Sequence, residues 1–102
     1  MVHYTVTLTA TARSIATALG LTPAQDVALR SLTVQAGKAN AADAFVGGSG
    51  LTVTDYGVRV DPADTAPPIL LLGGVDGGPI KPSKVFVIGT ANEILHFCGV
   101  PF

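Results

Sequence analysis

An imidazole and a thiol stand two residues apart in the segment EILHFCGV, at His96 and Cys98. In an extended chain that spacing puts both side chains on one face, together with Ile94. The chemistry it suggests is a Cys–His nucleophile, in which the ring takes the thiol proton. Adjacent side chains of one strand rarely reach attack geometry, and no third group that would orient the ring can be named. We therefore expect no catalysis. His96 reads as a histidine of the core or of a subunit interface, and Cys98 as a small buried hydrophobe.

A second candidate is the tract Gly47-Gly48-Ser49-Gly50. Glycine-rich loops that follow a strand can offer backbone N–H groups to a phosphate. A P-loop, though, ends in Gly-Lys-Ser/Thr and opens a helix, and this tract does neither. Its glycines are expected instead to permit positive backbone angles or close chain approach at a corner. Asp43, Asp55, Asp61, Asp64 and Asp76 carry the oxygen atoms that calcium prefers. None follows EF-hand spacing, and each adjoins a turn signal, where aspartate bonds its own local backbone. Cys98 is the one cysteine, so an internal disulfide is excluded, and no paired Cys or His spacing of a zinc site occurs. No catalytic, metal or cofactor-binding residue is expected.

The elements that would position these residues are short. HYTVTLT, residues 3–9, alternates Tyr4, Val6 and Leu8 with His3 and threonines, the period of a half-buried strand with threonine outward. ARSIATALGL fits either a helical turn closed by Gly20 or a second strand. VALRSLTVQA sets Leu32, Val34 and Ala36 on one face and Thr33 and Gln35 on the other. GKANAAD breaks that strand at Gly37 and Asn40, both tolerant of left-handed angles, and AFVGG resumes as a short one. GLTVTDYG and GVRVDP follow, with a corner at Tyr56-Gly57. Pro67 and Pro68 belong at the start or edge of an apolar strand in TAPPILLLGG. VDGGPIKPS reads as a loop, and KVFVIGT and EILHFCGV as two last strands joined by a tight turn at ANE. No spacer is long and helical enough for a βαβ crossover. The fold expected is all-β, a jelly-roll or Greek-key β-sandwich of about seven or eight short strands with at most one helical turn.

At 102 residues the chain has room for one domain and one modest core. Its 6 Lys and Arg against 7 Asp and Glu leave a net charge of -1, which gives no electrostatic footprint for direct nucleic-acid binding or for an anionic membrane surface. No apolar run approaches the ~18 residues of a membrane span, and the N-terminal residues lack the pattern of an export signal. Charged residues make up 13% of the chain where soluble domains average roughly 25%. A small domain is mostly surface, so much of that surface is Ala, Gly, Thr, Val or Pro. Such a surface suits burial against neighbouring subunits, and an obligate assembly is expected.

Three stretches in order, RSLTVQAGKANAADAFVGGSGLT, YGVRVDPAD and KVFVIGTANEILHF, resemble the small capsid decoration, or cement, proteins of tailed bacteriophages. The similarity spans most of residues 28–97, and its motifs are backbone signals. The resemblance implies a jelly-roll-like domain on the outer surface of an icosahedral shell, bridging major capsid protein subunits and stabilising the head. It further implies a homotrimer or homodimer at symmetry axes and a location in the virion, without direct nucleic-acid or membrane contact. Contact residues are expected in the loops 46–56 and 73–83 and on the first strand: His3, Tyr4, Gly48, Ser49, Tyr56, Asp76, Pro79 and Lys81. A tail, head-fibre or fibre-base component is the alternative. A carbohydrate-binding sandwich has less support, since Trp is absent and aromatic residues are 6% of the chain.

Overall fold

A computed structural model describes residues 1–62, 69–72 and 79–102. Its strands are β1 (Val2–Thr7), β2 (Arg13–Ser14), β3 (Leu29–Ala36), β4 (Ala44–Gly47), β5 (Val58–Val60), β6 (Ile69–Leu72), β7 (Phe86–Ile88) and β8 (Ile94–Pro101). A five-residue helix, α1 (Ile15–Leu19), follows β2, and a 3-10 turn, Pro82–Lys84, precedes β7. Two four-stranded antiparallel sheets result, ordered β1-β8-β3-β6 and β2-β7-β4-β5.

Four of the pairings nest: β1 with β8, β2 with β7, β3 with β6 and β4 with β5. They describe one long hairpin folded over on itself, and the β3–β8 and β4–β7 pairings zip the folded halves together. This is the jelly roll, two Greek keys sharing one core. The expected fold class is therefore the observed one.

The core forms because alternation along each strand sends apolar side chains between the sheets. Tyr4, Val6 and Leu8 come from the first strand and the residue after it, Leu32, Val34 and Ala36 from β3, and Leu95 and Phe97 from β8. Ala44, Val46, Val60 and Val87 meet them from the second sheet. Ile15 and Ile80, both buried, enter from the connections.

Several boundaries differ from expectation for local reasons. The ARSIATALGL stretch holds both a strand and a helix: Ser14 Oγ accepts from Thr17 N–H at 3.0 Å, capping α1, and Gly20 closes it at φ 64°. Residues 51–56 are not a strand. Thr52 Oγ1 accepts from Asp55 N–H at 2.9 Å, and the Thr52 N–H donates to the Asp55 carbonyl at 2.9 Å, closing a turn that leaves Val53 exposed. Lys84 belongs to the 3-10 turn set up by Pro82, which shortens the KVFVIGT strand to Phe86–Ile88.

The glycine expectation is corrected in part. Among the described residues Gly20 is the glycine with positive φ, and Gly47 serves close approach instead. A Cβ there would lie 3.2 Å from the Gly57 nitrogen. Neither Gly37 nor Asn40 adopts a left-handed angle; that conformation falls to Asn92, at φ 72°, inside the expected tight turn. Pro67, Pro68, Asp64 and Asp76 lie outside the described residues.

Candidate functional site

The outward face of the β1-β8-β3 sheet brings together His3, Thr33, Gln35, His96 and Cys98 among the polar residues named from the sequence. Register places His3 opposite Cys98 and Cys98 opposite Thr33, with Thr5 opposite His96 and His96 opposite Gln35 one row along. His3, Thr5, Thr33, Gln35, His96 and Cys98, with Tyr4 and Phe97, line a shallow cleft of about 260 Å³ on this face. Its lining holds no carboxylate and no Lys or Arg.

Backbone phase accounts for how closely the rows sit. Leu8 N–H donates to the Glu93 carbonyl at 2.7 Å and the Leu8 carbonyl accepts from Asn92 N–H at 3.1 Å, so Leu8 faces β8. The Ile94 carbonyl instead accepts from Gly37 N–H at 2.8 Å, so Ile94 faces β3. Alternation then makes His3–Cys98 and Thr5–His96 the non-hydrogen-bonded pairs of the β1–β8 ladder, whose side chains approach most closely. Accordingly Thr5 Oγ1 lies 3.4 Å from His96 Nδ1. Thr33 Oγ1 donates to the Cys98 carbonyl at 3.2 Å, tying the third strand into the same patch.

His96 and Cys98 share a face, as their spacing requires, but neither is a core residue. His96 is exposed and Cys98 half-buried, because the inward positions of β8 are taken by Leu95, Phe97 and Gly99. Reading Cys98 as a buried hydrophobe is thus corrected: its register row is the polar one. Nothing in the cleft can act as the orienting acid of a nucleophilic triad. Among the described residues no group of three or more His, Cys, Asp or Glu is placed to hold a metal ion.

Tyr4, expected beside His3 as a contact, points the other way, into the core. Burial, and then the Asp26 carboxylate, hold its hydroxyl above the ordinary value of 10.0. Asp26 in turn accepts from Ser83 N–H at 2.9 Å and from Ser83 Oγ at 2.5 Å, joining the β2–β3 connection to the 3-10 turn.

The remaining expected contacts lie in two connections. Gly48, Ser49 and Tyr56 are in the β4–β5 loop and Pro79 and Lys81 precede the 3-10 turn, while Asp76 is outside the described residues. Because successive jelly-roll connections alternate ends, the β2–β3, β4–β5 and β6–β7 connections leave from one end of the sandwich. His3, near the start of β1, sits at that end too. Exposed Tyr56 packs against Phe45 in a tilted arrangement, with ring centroids 4.6 Å apart at 44°.

Three features here had little or no signal in the sequence. Arg13 Nη2 donates to the Thr7 carbonyl at 2.7 Å, and Arg30 lies 5.6 Å from the centre of the exposed Phe102 ring. Glu93 accepts from the Ala41 and Ala42 N–H groups. All three depend on chain ends or turns meeting in space, whereas the outward Thr5, Thr33 and Gln35 follow directly from strand alternation. Comparison with protein-family models, with curated proteins and with solved structures finds no match to this chain.

Proposed function

We propose that the chain is a structural virion protein, a capsid decoration or cement protein that binds the outer surface of a major capsid shell and stabilises it. The observation that carries the reading is the near-absence of charge on the outward face of β1, β8 and β3. Of the residues exposed or half-buried there, Arg30 is the charged one, beside Met1, His3, Thr5, Thr7, Ser31, Thr33, Gln35, Ile94, His96, Cys98 and Val100.

A free domain gains solubility from surface charge, and a domain whose faces are covered in an assembly does not need it. Jelly rolls recur in viral capsid proteins, which agrees with the resemblance in the three quoted stretches. Fold alone assigns no function, so the charge-poor surface and the resemblance carry the weight. Under this reading the partners are the major capsid protein and further copies of the chain. The β2–β3, β4–β5 and β6–β7 connections at one end supply shell contacts, and no step of catalysis is involved.

Cryo-electron microscopy of assembled particles, with copy number from quantitative mass spectrometry, tests the proposal. Density on the outer shell at hundreds of copies per particle is the expected result. A dozen or fewer copies at the portal or tail would replace it with the tail-component reading, and absence from particles would end both.

A further inference from the structure

We infer that the free edge of β1 is a docking edge for β1 of a second copy of this chain, which would join two β1-β8-β3-β6 sheets into one continuous sheet. The inference rests on backbone hydrogen bonding and does not depend on the virion reading. Since Leu8 faces β8, so do Val6, Tyr4 and Val2; the N–H and C=O groups of His3, Thr5 and Thr7 point away from the sheet. Among the described residues these groups have one partner, the Arg13 guanidinium on the Thr7 carbonyl. An unpaired strand edge is a template for another strand unless charge, proline or a bulge blunts it. Here β1 has six residues with no proline, no charged side chain and no register shift against β8.

The other edges are less suited. β2 has two residues. β5 has three, and its Arg59 is held between Asp43 at 4.0 Å and Asp61 at 3.5 Å. β6 has four residues against the six of β1.

A second copy is the occupant because the edge is complementary to itself. A two-fold axis opposite Tyr4 sets His3 against the partner's Thr5 and Thr5 against the partner's His3. Both are hydrogen-bonded pairs that exchange N–H and C=O, giving about four new main-chain bonds. Centring the axis on Thr5 would instead demand the Thr7 carbonyl, which Arg13 already occupies at 2.7 Å. The arginine therefore disfavours the register centred on Thr5 relative to the one centred on Tyr4. Exposed Met1, at the head of the strand, adds apolar surface at the edge.

Sedimentation velocity across a concentration series, with amide hydrogen exchange read by NMR, tests this on the full chain. The wild type is expected to be dimeric, with the His3 and Thr5 amides exchanging roughly tenfold or more slowly as dimer forms. Thr5→Pro removes an outward N–H that the protein's own ladder does not use, so it should keep a cooperative melt and sediment as a monomer. A wild-type monomer at every concentration overturns the inference. So does a dimer that a folded Thr5→Pro leaves intact, or one whose His3 and Thr5 amides exchange as fast as that of exposed Val53. Should Thr5→Pro not fold, the wild-type exchange measurement decides.

Discussion

Asn40 holds both backbone polar groups of Ile94: its Nδ2 donates to the Ile94 carbonyl at 2.6 Å and its Oδ1 accepts from the Ile94 N–H at 2.9 Å. One side chain thus mimics a strand and fixes the β3–β4 turn to the start of β8, at 54 residues' separation. Replacing it with alanine leaves a part-buried N–H without its partner and removes one of two donors to the carbonyl. Asn40→Ala should cost about 1–3 kcal/mol. Asn40→Asp should lie in the same range, because a carboxylate accepts from the N–H but repels the carbonyl oxygen. Urea denaturation of both variants at neutral pH checks that the two losses are comparable.

Val87 tests the arrangement of the second sheet. It lies between β2 and β4, opposite Arg13 on one side and Val46 on the other, with 2% of its surface exposed. An aspartate there would be a buried charge without a counter-ion, and Val87→Asp should abolish folding. Val87→Ile, which adds a single methyl group, should retain a cooperative melt. Wild-type melting of the aspartate variant, followed by circular dichroism, would show that residue 87 does not face the core.

How far these relationships could be read from the sequence varies with how local they are. The inward sets Tyr4, Val6, Leu8 and Leu32, Val34, Ala36 follow from alternation alone, and the same alternation sends His96 and Cys98 out together. Polarity of the cleft was visible strand by strand, but its assembly depends on β1, β8 and β3 becoming neighbours, which no single stretch encodes. Residues 51–56 show why propensity misleads at a turn. Leu51, Val53 and the threonines favour a strand, yet Thr52 satisfies the backbone of its own turn, and the strand start moves to Val58. Asn40 was legible as a turn residue but not as the partner of Ile94, since its bonds cross from one connection to another.

Tyr4 makes stability depend on pH in the alkaline range. Its hydroxyl is held above 10.0 first by burial and then by the Asp26 carboxylate, both of which disfavour the phenolate. The folded chain therefore keeps the proton to higher pH than the unfolded chain does. Its contribution is fully present below the unfolded value and is lost as pH rises through the folded one. Denaturation midpoints from about pH 8 to about pH 11 should fall in a step that Tyr4→Phe removes. Asp26→Asn should shrink that step without abolishing it, because burial is the larger cause.

Gly20 separates backbone strain from packing. It ends α1 at φ 64°, the Leu21 N–H donates to the Ala16 carbonyl at 2.9 Å, and no atom lies within 4 Å of where a Cβ would stand. Space is therefore open, and the whole effect of a substitution is conformational. Gly20→Ala should destabilise by about 1 kcal/mol. Gly20→Asn should lose less, since asparagine enters the left-handed region more readily. The ranking is read from denaturation midpoints at unchanged slope. Equal losses for alanine and asparagine would mean that the left-handed closure of the helix, with the β2–β3 connection it directs toward Asp26 and Ser83, is not the conformation in solution.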